Sequence, residues 1–301
     1  MTFAFGAALL LGGCAAGAAG AGSSGPVTSP TGRVYAEGTR PTNSRFTSPA
    51  ILLLAQEQYQ QALVQAQQGI AAEEGNPQHY FIAGQAHLGL NNVDEALRMF
   101  ERAEQIYPAY ELEIEPVREQ AWAVAFNEGV NAYNDGDMEI AATAWQRANR
   151  IFPVRSEAFL NLAVIHTQQA EYDEAIQAYR QGLASLDREP ATRALTEEEI
   201  EEREESRDLM LVNLAQLLNF TEQYAEAEQL YRQQLQASPN NVEIQSSLAV
   251  AIARQGRAAE AQTIYNRLLG DPNLGGTDLF NVGVSLFQGE NYEQAAEAFR
   301  R

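Results

Sequence analysis

The chain contains no lysine. All 20 of its basic residues are arginine, set against 40 Asp and Glu, for a formal charge of −20. A surface this acidic repels phosphate backbones and anionic headgroups, which argues against nucleic acid or bare anionic lipid as a partner. The plain reading of the excess carboxylate is solubility; hydration in a high-salt habitat is a sharper one. Cysteine is almost absent: Cys14 stands alone, so no disulfide can form within the chain. The three histidines, His79, His87 and His166, form no Cys/His cluster with metal-ligand spacing. Asp135-Gly136-Asp137 lacks the further ligands of a calcium loop and reads as a turn. No glycine-rich phosphate loop or serine-nucleophile elbow appears. The expectation is therefore no enzyme, no cofactor and no metal. Long apolar runs are missing too: the stretch from Phe3 to Leu11 is too short to span a bilayer as a permanent helix.

What the chain does have is a beat. Ala62, Ala96, Ala141, Ala175, Ala227, Ala261 and Ala295 recur with a 34-residue spacing in four of six gaps; the other two are longer by 11 and 18 residues. A fixed period of this length marks a solenoid of two-helix units, one elongated body in place of the two domains that length alone would suggest.

The cleanest unit runs over 77–110. Counting Pro77 as position 1, Tyr80 stands at 4, Gly84 at 8, His87 at 11, Ala96 at 20, Phe100 at 24, Ala103 at 27 and Pro108 at 32. Small residues at 8, 20 and 27 let two helices approach, large ones at 4, 11 and 24 fill the space between, and proline at 32 ends the second helix. On this pattern Trp122, Trp145 and the histidines at position 11 are core residues. The turn inside each unit carries Gly, Asn or Asp, as in Leu90-Asn91-Asn92-Val93 and Gln288-Gly289-Glu290-Asn291.

The pattern resembles the tetratricopeptide repeat. It returns at about 43–76, 122–155, 156–189, 208–241 and 242–275, and in incomplete form at 276–301. The resemblance implies an all-α, right-handed superhelical solenoid of about six to seven helix-turn-helix repeats over 49–301. Pro116 is expected to interrupt any helix in the first insertion, within 109–121. In the second, within 190–207, Thr196-Glu197-Glu198-Glu199 looks like a capping box that opens a helix. Arg301 falls inside the second helix of the last unit, so a closing helix, a further domain or a partner is expected at that edge.

In this family the first helix of each unit lines the concave face. Position 6 reads Asn127, Asn161, Asn213, Ser247 and Asn281; position 9 reads Val130, Val164, Val250 and Val284. The two positions share a helical face, giving a stripe of amides beside a stripe of valines. Amides both donate and accept, so the row can bond the backbone of an extended peptide. It is similar to the asparagine ladder of O-linked N-acetylglucosamine transferases. Bonds from these asparagines to a neighbouring repeat, setting the superhelix, are the competing role. Among concave positions of the six later units the one basic residue is Arg254, too few for the clamp that other family members use on a peptide C-terminus. The reading is a non-catalytic scaffold for a protein or extended peptide, of undetermined oligomeric state. A substrate-binding arm of a truncated glycosyltransferase is the alternative.

Leu11-Gly12-Gly13-Cys14, behind the apolar run, resembles the lipobox of bacterial lipoprotein signal peptides, although no arginine or lysine precedes it. The resemblance implies that residues 1–14 end in lipidation of Cys14, that 15–48 form a flexible Gly/Ala/Ser/Pro tether, and that the protein sits in the cell envelope. With Ala15 rather than aspartate beside the cysteine, the outer membrane facing the periplasm is the expected site, with the cytoplasm as the alternative.

Overall fold

The computed structural model describes residues 26–301. Cys14, the apolar run before it and the start of the expected tether lie outside them. The described chain is almost wholly helical, and its helices pair as hairpins. Helices α1 (Thr47–Ala55) and α2 (Tyr59–Ala72) form the first, followed by α3 (Pro77–Gly89) with α4 (Val93–Ile106) and α5 (Glu111–Asp135) with α6 (Met138–Ile151). Then come α7 (Glu157–Gln168) with α8 (Tyr172–Ser185) and α9 (Glu197–Phe220) with α10 (Tyr224–Ala237). The last two are α11 (Val242–Arg254) with α12 (Ala258–Leu269) and α13 (Gly276–Gln288) with α14 (Tyr292–Arg300). Except at α4, which meets the next pair through the short helical turn Pro108–Tyr110 and through α6, each second helix also packs on the first helix of the next pair, which is how units too small to stand alone share one core.

The landmark alanines are all buried, none more than 2% exposed, because any larger side chain there would push the two helices of a hairpin apart. Position 8 faces position 24 within each unit, and the two residues co-vary along the chain. Glycine stands at 8 where 24 is Phe100, Trp145 or Phe299, and a methyl added to Gly84 or Gly129 would meet the ring at 2.4 Å. Alanine stands there where 24 is Tyr179, Tyr231 or Tyr265.

Position 15, in the turn, takes a left-handed backbone in every unit: Glu57, Asn91, Gly136, Ala170, Glu222, Gly256 and Glu290 all have positive φ. The turn chemistry is thus less regular than its geometry. In Gln288-Gly289-Glu290-Asn291 it is Glu290, at φ 64°, and not the glycine, that bears the left-handed conformation.

Two expectations about the irregular segments are corrected. Helix α5 runs through Pro116 without a break. The proline sits in the second turn, where its missing N–H forfeits a single ladder bond near an end that lacks such bonds anyway. Residues 26–46, read as tether, do not hang loose. Strands β1 (Val27–Thr28) and β2 (Val34–Tyr35) pair in a hairpin whose Arg33 and Tyr35 bond Glu111 at 2.7 and 2.8 Å, while Thr31 donates to the Ala191 carbonyl. Beyond the hairpin the Thr39 N–H donates to the Ile106 carbonyl, and Thr42 exchanges two hydrogen bonds with the Asn76 side chain. Composition hid this strap because its fixation comes from scattered hydrogen bonds to other units, not from a periodic apolar face.

The capping box at Thr196 and Glu199 forms as expected, and Glu201 to Glu205 prolong α9 into solvent. The two insertions meet. Glu115 on α5, 6% exposed, accepts from the Ala191 N–H at 2.7 Å, the Thr192 N–H at 2.9 Å and the Thr192 hydroxyl.

Candidate peptide-binding groove

The first helices of successive hairpins, α7, α9, α11 and α13, leave two adjoining clefts along one wall. The first, about 430 Å³, lies between α7 and α9; Val164, Tyr172, Tyr179, Leu217 and Phe220 make it apolar, and Asn213 and Gln216 add amides. The second, about 550 Å³, spans α9, α11 and α13 and includes Ser247, Val250, Asn281 and Val284 beside Glu222, Glu243 and Arg254. Gln216 and Phe220 line both.

The structure thus brings six of the expected groove residues to these clefts: Val164, Asn213, Ser247, Val250, Asn281 and Val284. Asn127, exposed on α5, and Val130 and Asn161, both half-buried, line neither.

The amide row divides by chemistry. Asn213 and Thr167 stand beside the Tyr179 hydroxyl on the cleft wall and partly offset the effect of its burial. Ser247 does the same for Tyr231, one repeat on, and the Tyr265 hydroxyl donates to the Ser285 carbonyl at 3.2 Å. Burial pushes all three phenols up from their ordinary range, so they stay protonated and can donate. At the first two joints position 6 sits against the preceding repeat's tyrosine, while Asn281 lines the cleft. Val250 is 4% exposed and packs more than it presents.

Two residues that the position-6 and position-9 stripes did not single out dominate the wall. Phe220, at position 13, is 67% exposed and meets Tyr172 edge to face at 5.1 Å. Gln216, at position 9, stands where four other units have valine and donates to Glu243 at 3.3 Å. Extending the repeat alignment to positions 12 and 13 finds both Asn219 and Phe220. The Asn219 Oδ1 is buried at the wall with no hydrogen-bond partner.

The electrostatics are one-sided. Arg254 is held by Glu290 at 2.7 Å and by the Gln288 carbonyl at 2.7 Å, which neutralises the one basic side chain there. Glu222 and Glu243 line the same cleft and form no ion pair among the described residues. The histidines stand apart: His79 is buried against Phe46 and bonds Glu73 at 3.0 Å, His166 bonds Glu171 at 2.6 Å, and burial lowers the basicity of His87. Among the described residues no group of three or more His, Cys, Asp or Glu could hold a metal, and no helix is long and apolar enough to cross a membrane.

Stacked hairpins with an open inner wall of aromatics and amides define a helical-repeat scaffold for protein interaction. A family profile described as tetratricopeptide repeat matches residues 50–111 and 126–190, and a second of the same description matches 221–272. The chain belongs to the tetratricopeptide repeat family. No curated protein matches the sequence. Among solved structures it is similar to YrrB, a TPR protein with an unusual peptide-binding site, at 16% identity and TM-score 0.40, over 58% of this chain and 80% of that one. It is also similar to the C-terminal part of a TPR repeat-containing protein from Cytophaga hutchinsonii, at 15% and 0.42, over 84% and 93%. PilW, a widely conserved type IV pilus biogenesis factor, gives 13% and 0.38 over 80% and 96%.

Proposed function

We propose that the protein is a non-catalytic scaffold of the bacterial cell envelope that holds a partner polypeptide in extended form along the wall of α7, α9, α11 and α13. The observation that carries this reading is Phe220. A large aromatic ring, 67% exposed, stands between two clefts that together offer both apolar surface and amides. A side chain of that size left in water at the centre of a concave wall marks an interaction site more than a packing need. Position in the envelope is supported by the lipobox-like Leu11-Gly12-Gly13-Cys14, with Cys14 as the lipidated residue and the outer membrane as its destination. Lipid through that anchor, and no nucleic acid, completes the set of partners.

Two experiments test the two halves. A photocrosslinking amino acid placed at Gln216 in cells should give a discrete protein adduct, and the same group at Gln177, exposed on α8, should not. Equal adducts at both sites would overturn the groove. Cys14→Ser should move the protein from the membrane to the soluble fraction; unchanged fractionation would overturn the anchor.

A further inference from the structure

The two clefts differ in chemistry, and the difference specifies a ligand. The α7/α9 cleft is walled by Val164, Tyr172, Leu217 and Phe220 and carries no charged side chain. Its neighbour carries Glu222 and Glu243, while its arginine is already spent on Glu290. Gln216 and Phe220 belong to both walls, so a single short stretch of chain reaches the two together. A bound anion-bearing segment would leave Glu222 and Glu243 facing like charge, which costs binding; a cation offsets their desolvation.

We propose that the occupant is an extended peptide segment that lays an aromatic side chain on the exposed face of the Tyr172–Phe220 pair, and an arginine or lysine close by in sequence against Glu222 and Glu243. The inference rests on the groove reading above and adds the chemistry of the ligand. The guanidinium or ammonium supplies the donors that the carboxylates need, and the aromatic ring covers Phe220.

The test uses the full chain and four fluorescently labelled synthetic peptides with a common Gly/Ser background, carrying Phe with Arg, Phe with Glu, Ala with Arg, or Ala with Ala. Binding is read by anisotropy at low salt. The Phe/Arg peptide should bind tightest, by about tenfold over Phe/Glu for two partly exposed charge contacts and by at least about tenfold over Ala/Arg for one buried ring. Glu222→Gln with Glu243→Gln should abolish the preference for Arg over Glu and leave the preference for Phe over Ala; Phe220→Ala should do the reverse. Both sets of side chains are exposed or half-exposed, and circular dichroism checks that the variants fold. If the four peptides bind alike and Phe220→Ala weakens them all, the groove stands and the proposed ligand chemistry is overturned. Failure of the Phe/Arg peptide to bind, or binding that no groove substitution alters, overturns both readings. Preference for Phe/Glu overturns the charge assignment outright.

Discussion

Glycine at position 8 shows how closely single residues are fitted to their neighbours. In an ordinary helix interior Gly→Ala is stabilising, by about 0.5–1 kcal/mol. At Gly129 the added methyl would lie 2.4 Å from the Trp145 indole nitrogen, which itself donates to the Phe126 carbonyl and so cannot swing away. Overpacking of this kind costs about 1–3 kcal/mol, which exceeds the propensity gain. Gly129→Ala should therefore lower the urea midpoint, and a rise would show that the ring yields. The same register was partly legible in the sequence: the landmark alanines, Trp122, Trp145 and the small residues at position 8 all read correctly as core from spacing alone. The left-handed turn position did not. Composition points to Gly, Asn and Asp, yet Glu57, Ala170, Glu222 and Glu290 adopt that conformation because the hairpins packed on either side dictate it. Phe220 escaped for a different reason. It breaks the repeat's own pattern, and a search for recurring residues passes over the one that occurs once.

Among the elements, the regular helices follow from periodicity and the irregular segments do not. Helix α9 is the exception, since a capping box announces its start. Its Glu199 carboxylate is held down to about 2, first by the Arg193 hydrogen bonds and then by the Thr196 backbone N–H. A lowered folded-state value means that the unfolded chain takes up the proton more readily. The stabilisation is thus complete above the ordinary carboxylate range near 4.5 and is lost as pH falls from there toward about 2. Protection of the first-turn amides of α9, taken relative to the intrinsic exchange rate at each pH, should fall across that window, and in Thr196→Ala, which removes a cap worth about 1 kcal/mol, it should be low already at neutral pH. The contact between the two insertions was beyond sequence reasoning, since Glu115 and Thr192 belong to no shared pattern and lie 77 residues apart. Glu115→Ala leaves two buried or half-buried backbone N–H groups without an acceptor, at about 1–3 kcal/mol each. It should loosen the loop around 187–195, so that trypsin cuts faster at Arg188 and Arg193. Cleavage at the wild-type rate would mean that water replaces the carboxylate without cost.

For the molecule as a whole, two long-range influences depart from a simple stack in which each repeat feels only its neighbours. One is the strap. Through Thr31, Arg33, Tyr35, Thr39 and Thr42 it touches the loop after α8, the start of α5, the end of α4 and the start of α3, and so adds links across several units. The other is charge. With 40 acidic against 20 basic residues, even a structure that paired every arginine would leave carboxylates to repel one another. Salt acts on both sides of this balance. It weakens exposed pairs such as Arg180–Glu226 and Arg207–Asp187, which contribute about 0–1 kcal/mol each. It also screens the net repulsion, which the unfolded chain relieves by expanding and the folded solenoid cannot. Because the pairs are exposed and individually weak while the excess charge is spread over every repeat, the repulsion wins. The urea midpoint should rise as sodium chloride goes from about 0.01 M, where the screening length is about 30 Å, to about 1 M, where it is about 3 Å. Urea is the right denaturant because guanidinium chloride would itself supply the salt. A midpoint that falls over the same range would assign the larger share to the surface ion pairs, and would make the arginines, not the core, the carriers of inter-repeat stability.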